Sequence, residues 1–126
     1  MKNKNNIINN SKAIAKLIIN LMLEKKASDI QVIYVDKLTS LTDIFIICTS
    51  SSHPQSRAIT NHIKIGMEKK HIKPMHIEGY EQLNWVLMDY VNVTINIFNK
   101  EYREYYDIER LWGDAKSKII KESLPA

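Results

Sequence analysis

Four consecutive apolar residues, Ile44 to Ile47 in the string DIFIICTS, constrain this chain more tightly than any other feature. Successive side chains of a strand point to opposite sides of the sheet, so a strand with one wet face alternates apolar and polar positions. A strand apolar at every position is covered on both faces. Residues Asp43 to Thr49 are therefore expected to form a central strand.

The remaining elements follow from periodicity and punctuation. Ile14, Leu17, Ile18 and Leu21 recur at helical spacing, which predicts a helix from about Ser11 to Lys26 with Ser11 as its N-cap. A strand over Asp29 to Val35, DIQVIYV, is dense in β-branched and aromatic residues. In SSSHPQSRAITNHIKIGMEKK, Ser52 would cap a second helix. Pro54 sits in its first turn, and Ile59, Ile63 and Met67 form the inward stripe. Gly66 within that helix is compatible with close packing against a neighbour.

A short strand MHIEG follows, then WVLM, then Val93 to Phe98, where Val93, Ile95 and Ile97 alternate with Thr94 and Asn96. The last two should be antiparallel strands around a turn near Asp89 to Asn92. Asn99 can cap a final helix, KEYREYYDIERLW, ending near Gly113. The predicted order is α-β-β-α-β-β-β-α, an α/β fold with a mixed five-stranded sheet flanked by helices.

A chain of 126 residues, 44% hydrophobic and 25% charged, has the composition of one globular domain. Its expected layout is a flexible arm over residues 1–10, a single domain over 11–115 and a Lys-rich tail over 116–126. The most apolar stretch, Ile14 to Leu23, is interrupted by Lys16 and Asn20 and falls short of the roughly 20 residues a membrane span needs. No secretory pattern opens the chain, which points to a cytoplasmic protein. Cys48, the single cysteine, lies in an apolar string and reads as a buried, inert thiol. The net charge of +4 comes from lysines scattered over the ends and helix faces, without the concentrated basic stripe of a dedicated nucleic-acid binder.

Catalytic constellations find little support. His53, His62, His71 and His76 show no metal-ligand spacing. Thr49 to Gln55 is the one candidate anion cradle, but it lacks the glycines that bring backbone amides close to phosphate. Ser52, His53 and Asp43 contain the residue types of a hydrolase triad without a nucleophile elbow. The carboxylates Glu78, Asp89, Asp107, Glu109 and Asp114 show no spacing that pairs any two. What stands out is a set of amphipathic aromatics, Trp85, Tyr90, Tyr102, Tyr105, Tyr106 and Trp112, residues that carry much of the energy of protein interfaces.

Several motifs occur together and in order: LTD before the second strand, S…RAI opening the second helix, EG at Glu78 and Gly79, W-V-L-x-D-Y at Trp85 to Tyr90, and YDIERLWGDA at Tyr106 to Ala115. As a set they resemble the ribosomal silencing factor family, also called the RsfS, YbeB or iojap family, over about residues 8 to 115. The resemblance implies a nucleotidyltransferase-like fold without catalytic residues, no cofactor and no enzymatic activity. It implies binding to the large ribosomal subunit through ribosomal large-subunit protein fourteen. Bound there, the chain would block joining of the small subunit and repress translation under nutrient limitation. Organelle relatives assist large-subunit assembly, and members are monomers or homodimers.

Carried over by motif, the contact surface would hold Trp85, Asp89 and Tyr90 with Leu87 beneath them, and Met88 and Asn92 at its rim. No membrane and no sequence-specific nucleic acid is implied as partner. Two other classes stay open: a nucleotide-binding enzyme using Thr49 to Gln55, and an RNA-binding module using the lysines. Family members typically carry Gly-Asp after the Asp-Tyr pair, whereas Val91 and Asn92 stand here. Valine does not take positive φ cheaply, so either Asn92 supplies a left-handed residue or the turn needs none.

Overall fold

The structure, a computed structural model, describes residues 4–121, with side chains from residue 10 onward. In chain order the elements are α1 (Lys4–Glu24), β1 (Ser28–Tyr34), β2 (Ile44–Ser50), α2 (His53–Glu68), β3 (His76–Glu78), β4 (Trp85–Asp89), β5 (Val93–Asn99), α3 (Lys100–Tyr106), a 3-10 helix (Ile108–Trp112) and β6 (Lys116–Ile119). The strands form one mixed sheet in the order β3-β4-β5-β2-β1-β6. Among the described residues only β2 and β5 run parallel, in register from Ile44 opposite Val93 to Ser50 opposite Asn99. The apolar run does lie inside the sheet, and all of β2 except Phe45 is buried.

Two layers explain that burial. On one face α1 and α2 bring Ile18, Met22, Ile59, Ile63 and Met67 onto Val32, Ile46, Val86, Met88, Ile95 and Ile97. Each fully buried side chain of this size contributes about 1.5–3 kcal/mol of transfer free energy. The helices approach closely where the sequence has Gly66: a Cβ there would lie 2.6 Å from a Leu21 methyl. On the other face the 3-10 helix packs Ile108 and Trp112 against Ile33, Val35, Phe45, Ile47 and Phe98, next to Trp85.

The start of α2 follows from its sequence: Ser52 accepts a hydrogen bond from the Gln55 amide at 3.1 Å, and Pro54 occupies the first turn. Asn99 caps α3 in the same way, accepting from the Tyr102 amide at 2.9 Å.

The structure corrects the predicted layout in three places. The sheet has six strands, not five. The sixth is Lys116–Ile119, in the Lys-rich segment expected to be a tail, which pairs antiparallel with β1. Helix α1 begins at Lys4, so Ser11 is not its N-cap; Ser11 is buried within the helix and donates to Asp43 Oδ2 at 2.7 Å. The final helix ends at Tyr106, because Asp107 turns left-handed at φ 45° and the chain resumes as a 3-10 helix. Residues 1–3 and 122–126 of the expected arm and tail lie outside the described residues.

Candidate functional site

The candidate surface is built on β4, a strand held at both ends by unusual backbone. Before it, Gly79 takes φ 80°, and a Cβ at that position would stand 2.0 Å from the Trp85 carbonyl oxygen. No residue with a side chain fits there without moving the backbone. The glycine of the EG motif thus lets the loop fold tightly over the start of β4, and the Leu83 amide closes it onto the Gly79 carbonyl at 2.9 Å.

Along β4 the side chains alternate. Val86 and Met88 are fully buried under α1 and α2, whereas Trp85, Leu87 and Asp89 are half-buried on the opposite face. The Trp85 indole N–H donates to Asn96 Oδ1 at 2.9 Å, and its ring stacks on Phe98 with centroids 4.8 Å apart. Tyr106 lies against the same ring at 5.0 Å and is in turn flanked by Tyr102 and Tyr105. Trp85 is therefore fixed before any partner arrives, which lowers the entropy lost on binding.

After β4 comes a tight turn. The Asn92 amide donates to the Tyr90 carbonyl at 2.9 Å across Val91, whose φ is 70°. That two-residue bond with a positive central φ marks a γ-turn of the rarer, strained kind, costing about 1–3 kcal/mol. Val91 itself, not Asn92, supplies the left-handed residue.

Asp89 holds this turn. Its Oδ1 accepts from the Val91 amide at 2.7 Å, and its other oxygen lies 3.7 Å from His76 Nδ1. The Asn92 carbonyl then takes two amides, Asp43 at 3.0 Å and Ile44 at 3.1 Å, which ties the hairpin to the loop before β2.

Three expected placements are corrected by the two-residue period of the strand. Leu87 does not lie beneath Trp85 and Asp89 but beside them, on the same face. Met88 is fully buried on the helix side, not at a rim. Tyr90, expected on the contact surface, packs instead into the helix-side core at 6% exposure. Among the described residues its hydroxyl has no hydrogen-bond partner. Burial, with Glu68 adding to it, pushes its pKa up to about 12.

Around the turn stand apolar side chains not expected from periodicity: Leu41 at 85% exposure, Met75 at 68% and Val91 at 49%. Hydrogen bonds bring their segments together. Met75 donates its amide to the Asp89 carbonyl, and the loop containing Leu41 leads into the Asp43 and Ile44 amides held by Asn92. The available signal was a lone apolar residue in a polar stretch, as in TSLTD and KPMH.

The alternative sites dissolve into structural roles. Ser52 caps α2, His53 bonds Asn84 Oδ1 at 2.9 Å, and Asp43 receives Ser11 at the opposite end of β2. No triad geometry joins these three. Asp107 pairs with Arg110 at 3.3 Å. Glu109 Oε1, without a hydrogen bond among the described residues, lies 3.4 Å from Arg103 Nε, beyond hydrogen-bond reach but within ion-pair distance. Among the described residues no three His, Cys, Asp or Glu side chains are grouped to hold a metal ion. Burial raises the Cys48 thiol to about 12, so it carries no thiolate at neutral pH.

Comparison with known proteins fits this arrangement. A family model described as "Ribosomal silencing factor during starvation" matches residues 8–125. Ribosomal silencing factor RsfS of Bacillus subtilis is 35% identical over 106 residues, covering 84% of this chain and 90% of that protein. A crystal structure of a Chromobacterium violaceum protein superposes with a TM-score of 0.79 at 33% identity, covering 87% of this chain and 92% of that one. A mouse protein named "Mitochondrial assembly of ribosomal large subunit protein 1" is 29% identical, over 86% of this chain and 51% of its own length. With a family model matched over nearly its whole length and a relative 35% identical over most of both chains, the chain belongs to the ribosomal silencing factor family.

Proposed function

We propose that this chain represses translation by occupying the large ribosomal subunit, docked on ribosomal large-subunit protein fourteen, so that the small subunit cannot join when nutrients are scarce. The action is occlusion in the cytoplasm, not catalysis, and the fold is a nucleotidyltransferase-like scaffold without catalytic residues. Trp85, Leu87, Asp89 and Asn92 would form the contact, with Met88 and Tyr90 fixing the strand from the core side. The supporting observation is the pre-set β4 hairpin: an indole clamped between Phe98 and Tyr106 at one end of the strand, and at the other end a carboxylate-held turn with exposed apolar side chains around it, Leu87 lying between them on the same face. A rigid aromatic anchor on the same strand face as further apolar and charged groups is the kind of surface on which binding energy concentrates.

The test is co-sedimentation with purified ribosomal subunits. Wild-type protein should travel with large subunits at moderate salt, and Trp85→Ala with Asp89→Ala should weaken this at least tenfold while circular dichroism is unchanged. Wild-type protein that stays at the top of the gradient would overturn the reading. The name of the mouse relative supports a second reading, assistance to large-subunit assembly. Preferential binding to immature over mature large subunits would favour it.

A further inference from the structure

The lysines look dispersed in the sequence because the chain ends lie far apart in it. The sheet brings those ends together. β6 pairs with β1 so that Lys118 lies opposite Val32 and Lys116 opposite Tyr34. Directly opposed residues of antiparallel strands share a face. Val32 and Tyr34 both pack on the α1 side, so both lysines project there.

From above, α1 contributes Lys12 and Lys16, one helical turn apart, and the Lys12 ammonium sits 5.4 Å over the Tyr34 ring. A cleft between helix and strand is lined by Lys12, Lys16 and Lys118 over a floor of small and apolar side chains, and among the described residues no carboxylate lines it. Among the described residues none of these four lysines makes an ion pair.

We propose that this edge of the sheet binds the phosphate backbone of RNA. The charges lie in two rows, each with a spacing of about 6–7 Å, the lysine pair of a strand and the lysine pair of a helix turn. Rows in an open cleft suit an extended polyanion; a single small anion needs donors that converge on a point. The stretches from residue 1 to residue 23 and from 115 to 121 contain no acidic residue, so the cleft draws its charge from lysine on both of its sides.

RNA is favoured over an acidic peptide because the family's setting is the ribosome and because the four cations stand clear of one another on two elements. The lysine edge is four strand steps, about 19 Å, from β4. One molecule can therefore touch RNA with one edge and a protein with the other, and neither contact depends on the other being correct.

The experiment uses the full chain and a fluorescent 20-nucleotide polyuridine RNA, with anisotropy measured across a salt series. The set Lys12→Gln, Lys16→Gln, Lys116→Gln and Lys118→Gln should lose at least tenfold in affinity. It should also flatten the dependence of log K on log salt by about 2 to 3 in slope, as expected for four lost phosphate contacts on a single strand. A control with Lys25, Lys26, Lys69 and Lys70 changed to Gln has the same net charge and should bind nearly as wild type. RNA binding retained in Trp85→Ala, Asp89→Ala protein supports the proposal separately from the docking reading, whose own failure shows as loss of wild-type co-sedimentation. Equal losses in the two lysine variants, or polyglutamate competing as well as RNA, would overturn it.

Discussion

Gly79 and Val91 bracket β4, and both have positive φ, 80° and 70°, for opposite reasons. At Gly79 the space is gone: a carbonyl oxygen stands where a Cβ would be. At Val91 the space is open and the side chain half-exposed, and the conformation is held by the Asp89 carboxylate and by two amides on the Asn92 carbonyl. One turn is dictated by packing; the other is imposed by hydrogen bonds on a residue poorly suited to it. Strain that surrounding structure holds in place is typical of functional sites, and only the second turn lies in the proposed contact.

The largest test of that contrast is Gly79→Ala. It combines backbone strain with a backbone clash and should cost about 3 kcal/mol or more in urea unfolding. A cost below about 1 kcal/mol would mean that the loop over β4 yields easily. Val91→Gly should do the reverse and stabilise the protein by about 1 kcal/mol, as strain relieved exceeds the entropy glycine adds to the unfolded chain. Destabilisation there would break the comparison.

The smallest effect is expected beside the turn. Tyr90→Phe removes a buried hydroxyl without a described partner and should change stability by less than about 1 kcal/mol. It should also alter the pH profile. Tyr90 and Cys48 both have pKa values raised to about 12 in the folded protein, so the native state holds their protons longer than the unfolded chain does. Stability is then full below pH about 9 and falls as pH rises towards 12, and the phenylalanine variant should fall less steeply above pH 10.

Much of the fold was legible because the informative residues act locally. Ser52 and Asn99 cap the helices they precede, and Ile44 to Ile47 declares a doubly covered strand without reference to its neighbours. β6 was not legible: Lys116 to Ile119 has the polarity of a tail and is exposed throughout, and it is a strand only because β1 offers an unpaired edge. The break at Asp107 likewise comes from tertiary packing, since helical spacing continues through it to Ile108 and Leu111.

At the site, the motif located the hairpin, but a motif does not specify which side of a strand each residue takes. The alternation of β4 sends Met88 to the core and brings Leu87 alongside Trp85. The inward placement of Tyr90 and the left-handed Val91 depend on how the hairpin is tied to the loop at Asp43.

The pairing of β1 with β6 also sets the order in which the molecule can be completed. Gln31 waits for Ile119, so during synthesis β1 is made early and its outer edge stays open until residues 116–119 have emerged, more than eighty residues later. An open edge beside Ile30, Val32 and Ile33 is a template for pairing between nascent chains, and the strand that closes it is rich in lysine, a residue that discourages further strand addition. A chain truncated before residue 116 would retain both helical layers and much of the core, yet expose that edge permanently, and its failure would be aggregation in concentrated solution more than unfolding in dilute one.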